Sequence, residues 1–491
     1  MGGDDDLADL IERMTRRLDA QDETIARQGE TISSQSELIA RQSALIERQA
    51  GRIDDLESRL RKDSRTSSKP PSSDGPWSKR RGRRRPPSEK KQGAQPGHPG
   101  ASRELVDPGD VDEIVDHEPD ACSCGHGDLE DVGISPRRHQ VTEIPPLVAT
   151  ITEHRLHGRL CSGCGGQVFA ELPASVSGTA FGPRLQALVV TLVAAYRLSR
   201  AETARLLAEA FDVRISVGSV SNIERRMSRA LEPAFKQALE ALRRSGLAHI
   251  DETPWKRRGV LHWLWTGVGE GVTVHRIDRR RNREALERLI GPDFGGLMVT
   301  DRMASYDGVP AKRRQLCWAH LERDFRAFAV GPRAGRAFGE AGLVIAQALM
   351  RCVRAHKQHK DRERFEHELR PHLGDLIELL VDGACSDTPG VSGFAAHLLA
   401  RADSLWLFAD EPGVPPTNNT AERSIRKAVL WRKSCYGSQS ERGLRFVERM
   451  MTVIATKRRR AEGVLDYLVE VARSAITATP APPLLPQPAS V

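Results

Sequence analysis

Asp251 and Asp301 each follow a short apolar run, residues 247–250 and 296–300. Runs of that length and composition read as strands, so each carboxylate is expected at a strand end. Acids placed there can hold divalent cations for phosphoryl chemistry, in which two ions about 3.5–4 Å apart serve the attacking and the leaving oxygen. Hard oxygen ligands select Mg2+ or Mn2+ over zinc for that work. Two acids are not enough, and an Asp at a strand end is often only a turn former. A third acidic ligand is required, and the candidate is Glu422 in PPTNNTAERSIRKAVLWRKSCYG. Pro415 and Pro416 stop what precedes it, Asn419 reads as a helix N-cap, and Glu422 stands three residues on. The bland reading is a capping box. Against it, Arg423, Arg426, Lys427, Arg432 and Lys433 crowd the same helix, which suits a site for DNA phosphates. Asn418 and Asn419 can orient ligands or water there.

Sulfur supplies a second set. Cys122-Ser-Cys124 and Cys161-Ser-Gly-Cys164 are two close pairs, each followed by glycine. Four thiolates in two knuckles make a tetrahedral zinc site. The second pair has the usual knuckle spacing. The first is one residue short, which strains chelation by both sulfurs, and His126 can replace one of them. Four ordinary buried thiols are the plainer alternative. Cys317, Cys352, Cys385 and Cys435 stand unpaired and read as inert buried thiols. A third set is basic. Residues 61–91 hold twelve Lys or Arg against three acids, a net +9, so the rest of the 491-residue chain, whose total is +8, sums to −1 and the basic character sits in one arm. The run Arg80, Arg81, Arg83, Arg84, Arg85 attracts a polyanion, with DNA phosphate the expected partner and a solvated tail the alternative.

Elements must hold these groups in place. Within residues 245–450, segments 247–250, 260–268 and 272–277 read as strands, 282–290 as an amphipathic helix and 296–300 as a fourth strand. Three strands, a helix and a strand, with acids closing the first and fourth, match the ribonuclease-H-like order. In that order the two acid-bearing strands lie side by side. His320 and Arg323, after a fifth strand, would then contact phosphate or a base near the cut, or else hold structure. Trp255 reads as core packing. Residues 177–244 read as helices: Ser199 and Glu202 form a capping box, and Ser219 can cap the next helix. That pair suggests a helix-turn-helix, with Ser219, Ser221, Asn222, Arg225 and Arg226 facing a major groove. A plain helical hairpin is the alternative.

The remaining segments assemble or connect. From Ile11, every seventh residue through Leu60 is Ile or Leu, which predicts a coiled coil over residues 1–61. Its other seam holds Gln21, Gln28, Gln35, Gln42 and Gln49, which weaken it. The functional reading is a homo-oligomer; a single helix docked on the body is the alternative. Residues 62–103 form a basic linker rich in Pro, Ser and Gly, and 104–176 carry β-like runs at 140–144 and 148–153 around the cysteines. Residues 451–491 read as a helix followed by a disordered Pro-rich tail from Thr479. A composition of 39% hydrophobic and 29% charged residues excludes a polytopic membrane protein and a fully disordered chain. The acidic N-terminus shows no apolar leader. Eight cysteines are too few for a disulfide framework. A cytoplasmic, nucleoid-associated protein with no membrane contact is the expectation.

HIDETPWK around Asp251, VTDRMASYDG around Asp301, CWAHLERDF at 317–325 and NNTAERSIRKAVLWRK around Glu422 together resemble the transposases of the insertion-sequence-66 family. The linker phrases SSKPPSSD and QPGHPG and the paired cysteines are similar to that family's linker and zinc module, in the same order along nearly the whole chain. The resemblance implies a multidomain α+β chain with a DDE transposase core. Asp251, Asp301 and Glu422 would be its metal-binding carboxylates, and residues 330–412 a helical insertion. It implies cleavage of element ends and transfer of the freed 3′-hydroxyls to target DNA, on double-stranded terminal repeats, with accessory proteins from the same element. It also carries two departures. The first cysteine pair is C-x-C where C-x-x-C is usual, and the heptad d positions hold glutamine where leucine is expected. The competing function is a DNA-binding regulator without chemistry.

Overall fold

The computed structural model describes residues 4–61, 63, 66, 103–121, 123–131, 133, 135–359 and 362–486. Arg80, Arg81, Arg83, Arg84, Arg85 and Cys122 lie outside the described residues. The chain divides into one unit of residues 1–78, 174–197 and 223–491 and another of residues 79–173 and 198–222.

The heptad repeat forms one continuous helix, α1 (Asp4–Arg61), of 58 residues. At 1.5 Å per residue that is roughly 87 Å. Its stripe faces solvent, with Ile25, Ile32, Ile39 and Ile46 at 62–64% exposure. Near its end Asp54 is tied to the body. The carboxylate accepts from the Arg333 backbone N–H at 2.7 Å and pairs with Arg336 at 2.9 Å.

Within the second unit the cysteine region is mostly irregular. The runs at 140–144 and 148–153 are not strands. Val141, Ile144, Val148 and Ile151 are 74–93% exposed, so their alternation finds no face to bury. One antiparallel hairpin forms, β1 (Gly158–Leu160) with β2 (Gln167–Phe169), and Cys161 and Cys164 occupy its turn. The turn closes through Cys161 N–H to the Gly166 carbonyl at 2.9 Å and Gly165 N–H to the Cys161 carbonyl at 2.8 Å.

Four helices follow: α2 (Pro183–Ala194), α3 (Arg200–Phe211), α4 (Val217–Ala230) and α5 (Glu232–Arg243). Ser199 and Glu202 form the expected capping box, with both reciprocal bonds present. Asp212 ends α3 in the left-handed conformation, φ 50°. The next cap is not Ser219. Ser216 Oγ accepts from Ser219 N–H at 3.0 Å, and α4 starts at Val217.

β3 (Leu247–Arg257), β4 (Val260–Gly269) and β5 (Val272–Asp278) make an antiparallel meander. After α6 (Arg283–Ile290), β6 (Leu297–Thr300) and β7 (Arg314–Leu316) add on the other side of β3 in parallel. The order is β5-β4-β3-β6-β7, so the strands bearing Asp251 and preceding Asp301 are neighbours. β3 does not stop at Ile250. It pairs with β4 as far as Arg257, because both its faces are covered: Trp255 is fully buried, its ring edge on Trp431 and its Nε1 donating to Ser438 Oγ at 3.2 Å. Asp251 is therefore a mid-strand residue.

The chain continues through α7 (Trp318–Ala329), α8 (Arg333–His359), α9 (Arg362–Cys385), α10 (Val391–Leu399) and α11 (Asp403–Asp410). These helices share a core around Phe325, Phe338 and Phe394, which joins the sheet through Val299, Leu316 and Trp318. Gly342 on α8 permits the closest approach; a Cβ there would stand 2.1 Å from the Phe325 ring. Then come α12 (Asn419–Cys435), α13 (Glu441–Arg459) and α14 (Val464–Thr477).

α13 shields the free edge of β5. The backbone N–H groups of Thr273, His275 and Ile277 donate to Thr456 Oγ1 at 3.1 Å, Thr452 Oγ1 at 3.0 Å and Glu448 Oε1 at 2.6 Å. Alternate strand residues repeat at about 6.8 Å and every fourth helix residue at about 6 Å, so side chains at three successive turns satisfy the edge. The helix thus carries the core past residue 450. The tail is docked, not disordered, up to residue 486: Leu484 is buried, and Gln237 accepts from Leu484 and Leu485 N–H. An apolar anchor inside a Pro-rich string was the missed signal.

Candidate active site

Three elements distant in sequence are tied together at one end of the sheet. Asn418 Nδ2 donates to the Ile250 carbonyl at 2.7 Å, fixing the start of α12 beside Asp251. At the other end of α12, Ser438 N–H donates to the Lys256 carbonyl at 2.8 Å, and Arg258 N–H donates to the Ser438 carbonyl at 3.0 Å. Gly437 makes this join possible. Its φ is 103°, and a Cβ would lie 2.3 Å from the Lys256 oxygen. In between, Arg432 donates to Thr253 Oγ1 at 3.0 Å. α12 is thus clamped along β3 at both ends. The start of α7 is held likewise: Cys317 N–H donates to the Thr300 carbonyl at 2.9 Å, Trp318 N–H to the Pro416 carbonyl at 2.9 Å, and Asn418 N–H to Cys317 Sγ at 3.1 Å.

The capping-box reading of Glu422 fails. Asn418, not Asn419, precedes the helix, and it makes no side-chain cap bond because its amide is turned toward β3. Glu422 lies in the first turn with its carboxylate free for other use. Its Oε1 is 3.5 Å from His320 Nδ1 in the first turn of α7.

Charge crowds at Asp251. Burial pushes its carboxyl well above the usual carboxylate range, and Glu252, Asp301 and Glu422 push it further. Its Oδ1 accepts the Glu252 N–H at 2.9 Å, which opposes the shift. Asp301 Oδ1 accepts the Met303 N–H at 3.0 Å, and Arg314 holds the Asp301 carbonyl at 2.9 Å and Thr300 Oγ1 at 2.9 Å. Burial is the main cause that lowers the His320 pKa, Arg323 adds a smaller push the same way, and Asp301, Glu422 and Asp324 oppose. The structure therefore brings together Asp251, Asp301, Glu422, His320 and Arg323. Arg423 reaches the same end, since its charge is felt at His249. Asn419 and Arg426 are exposed on α12. Arg225 and Arg226 stand on α4, and neither is among the principal charges at Asp251.

Several partners escaped the sequence reading. Glu252 follows Asp251, so the strand pleat sends it to the opposite face. There it is buried, accepts from the Tyr306 hydroxyl and pairs with Arg281 at 2.6 Å. Tyr306 lies inside the VTDRMASYDG phrase, and an adjacent Asp-Glu pair in a strand was the available sign. Cys317 is buried as expected, but it sits against the acids: its Sγ, a His320 ring nitrogen and a Glu422 oxygen lie within 4.8 Å of one another. Cys124, Cys161, Cys164 and His126 form no group of three at that spacing among the described residues. Cys161, Cys164 and Cys385 are exposed, so Cys385 is not the buried thiol expected.

Residues 178–445, which span Asp251, Asp301 and Glu422, match the model of the Transposase IS66 family. The chain belongs to that family. Residues 11–104 match a family of unknown function, DUF6444. A curated relative, the uncharacterized protein y4hP of Sinorhizobium fredii (strain NBRC 101917 / NGR234), is 24% identical over 201 residues. That alignment covers 36% of this chain, and the chain spans 36% of the length of that relative. No helix among the described residues is long and apolar enough to cross a membrane.

Proposed function

We propose that this IS66 family member is a metal-dependent DDE transposase that cleaves the ends of an insertion element and joins the 3′-hydroxyls to target DNA. Asp251, Asp301 and Glu422 are its metal-binding carboxylates. The observation that carries the reading is the carboxyl of Asp251, pushed toward its neutral form first by burial and then by neighbouring acids that include Asp301 and Glu422, both far away in sequence. Acids so gathered repel one another, and oxygen donors of this kind fit Mg2+ or Mn2+. Held there, such ions would supply activation of the attacking oxygen and stabilisation of the leaving one.

The chain's own part is placement. β3 and β6, hydrogen-bonded side by side, fix the two aspartates, and the clamp on α12 fixes Glu422 against them. Arg323, Arg423 and Arg426 attract the DNA backbone toward that end, and His320 stands beside Glu422 to contact the phosphate or a flanking base. Buried Glu252, held by Tyr306 and Arg281, stiffens the strand under Asp251. The mixed sheet of order β5-β4-β3-β6-β7 supports a ribonuclease-H-like core, with α8 to α11 as the helical insertion.

Other modules follow the same reading. α3 and α4, joined by a short turn, serve as a helix-turn-helix with Arg225 and Arg226, and the basic run Arg80 to Arg85 adds phosphate contacts. The hairpin turn holding Cys161 and Cys164 is a zinc knuckle, completed by Cys122 and Cys124 or by His126; the backbone N–H groups of Gly163 and Cys164 lower the Cys161 pKa, favouring the thiolate. The exposed Ile stripe of α1 pairs two copies so that both element ends are held together. Accessory proteins of the element join this assembly in the cytoplasm, at the nucleoid.

The test uses labelled DNA carrying the inverted repeats that flank the gene. Wild type with Mg2+ is expected to nick the ends and yield joined product, while Asp251→Ala binds and leaves the DNA intact. Binding by wild type with no cleavage under any divalent ion would leave a DNA-binding regulator, and cleavage with no joining would leave a nuclease.

A further inference from the structure

Cys317 is the N-cap of α7, His320 lies one turn on, and Glu422 is in the first turn of α12. The N-cap and a residue three positions later share one side of a helix start. That brings a sulfur, an imidazole nitrogen and a carboxylate oxygen within 4.8 Å of one another. His320 Nδ1 is buried and carries no hydrogen bond among the described residues. Cys317 Sγ accepts the Asn418 N–H at 3.1 Å, so the sulfur is held at a fixed place beside the other two donors. Asn418 Oδ1, on the same residue, is also buried without a hydrogen-bond partner.

This donor set differs from the three carboxylates. Magnesium takes oxygen ligands and leaves sulfur alone, whereas zinc binds Cys, His and Glu together at about 2.0–2.3 Å. Donors around a tetrahedral ion at those distances stand roughly 3–4 Å apart. A closure of about 1 Å therefore seats it. A fourth position remains for water.

We propose that Cys317, His320 and Glu422 bind zinc, and that zinc held there withdraws Glu422 from the acids that serve magnesium. The binding stands on the donor set alone; its consequence for cleavage rests on the role of Glu422 proposed above. The site makes the protein sensitive to the ratio of the two metals, with the softer ion restraining strand cleavage.

Cobalt(II) is the probe, because a bound thiolate gives it a sulfur-to-metal charge-transfer absorption. The full chain is titrated as wild type, Cys317→Ser and Glu422→Gln. The knuckle at Cys161 and Cys164 contributes equally to all three; Glu422→Gln also weakens the carboxylate set, so uptake is compared between wild type and Cys317→Ser, and the sulfur-to-metal absorption, which oxygen ligands do not give, reports the new site in all three. Serine keeps an acceptor for the Asn418 N–H, and Glu422 is partly exposed, so at least one variant keeps the fold. Wild type is expected to take up one equivalent more than Cys317→Ser. Its charge-transfer absorption should exceed that of Cys317→Ser. Relative to each protein's own zinc-free rate, zinc inhibition of Mg2+-dependent cleavage should weaken about tenfold or more in Cys317→Ser. Equal uptake and equal absorption in wild type and Cys317→Ser would overturn the proposal. Should wild type fail to cleave DNA at all, the proposed function falls, and the cobalt titration still decides this site.

Discussion

Glu422 Oε1 lies 3.5 Å from His320 Nδ1, which joins the first turns of α12 and α7 directly above the strands that carry Asp251 and lead to Asp301. The contact is short because both helix starts hang from one knot: Asn418 bonds to Ile250 and to Cys317, and Cys317 bonds to Thr300. Geometry at the acids is thus set by backbone ties rather than by the acids themselves, which repel one another.

Repulsion at Asp251 has a consequence for stability. Asp251→Asn removes a carboxyl whose ionisation is opposed by burial and by the neighbouring acids, so the metal-free variant is expected to melt at a higher temperature than wild type at neutral pH. Magnesium should raise the wild-type melting temperature, by up to about 2.7 kcal/mol of stability at a hundredfold excess over its Kd. The variant should gain far less. Thermal melts with and without Mg2+ check both halves. A variant that is less stable without metal, or that gains as much from Mg2+, contradicts the account.

The shielded edge of β5 predicts a sharp local cost. Thr452→Val keeps the shape but removes the oxygen that accepts the His275 N–H. That leaves a buried donor unpaired, at about 1–3 kcal/mol. Urea unfolding should show this loss with an unchanged slope. Thr477→Val, where the hydroxyl bonds only within its own helix turn and tail, should cost much less.

His275 gives a pH dependence away from the acids. It is fully buried, and desolvation lowers its pKa to about 3, with Lys427 adding a smaller push. A histidine depressed in the folded state binds fewer protons there than when unfolded. Stability from this residue is therefore present above pH about 6.5 and is lost as pH falls from 6.5 toward 3. The slope is roughly 1.4 kcal/mol per pH unit while it lasts. His275→Gln should flatten the stability-against-pH curve in that window; an unchanged slope would place the acid sensitivity elsewhere.

Oligomerisation is checked on α1. Lys at both Ile32 and Ile39 puts charges in the exposed stripe. Light scattering is expected to show the mass fall to that of one chain, while the melting of the core stays within about 0.5 kcal/mol of wild type. An unchanged mass would remove the coiled coil from the assembly.

Much of the site was readable because the chemistry is written in side-chain type. Asp251 and Asp301 each follow a short apolar run that reads as strand, and the amphipathic pattern over 282–290 marks the helix between them, which Asn282 caps in the structure. What failed was local punctuation. Asn419 looked like the N-cap, but Asn418 does better by satisfying the Ile250 carbonyl, a bond to a residue 168 positions away. β3 overran its expected end because α12 covers Trp255, again a long-range cover. The runs at 140–144 and 148–153 have strand-like alternation and nothing to pack on, so pattern alone misleads there. Glu252 was hidden by its neighbour: beside an acid with a chemical reading, a second acid passes for solvent-facing charge.

The central claim is that Asp251, Asp301 and Glu422 act as one cation-binding set. Mn2+ binding to the full chain, followed by electron paramagnetic resonance alongside DNA nicking, tests it most directly in Asp251→Asn, Asp301→Asn and Glu422→Gln. Each substitution should weaken Mn2+ binding and nicking by more than the roughly 100-fold that an outer-shell loss can cost, with DNA affinity retained. Wild-type Mn2+ affinity and nicking in any one of the three would contradict it.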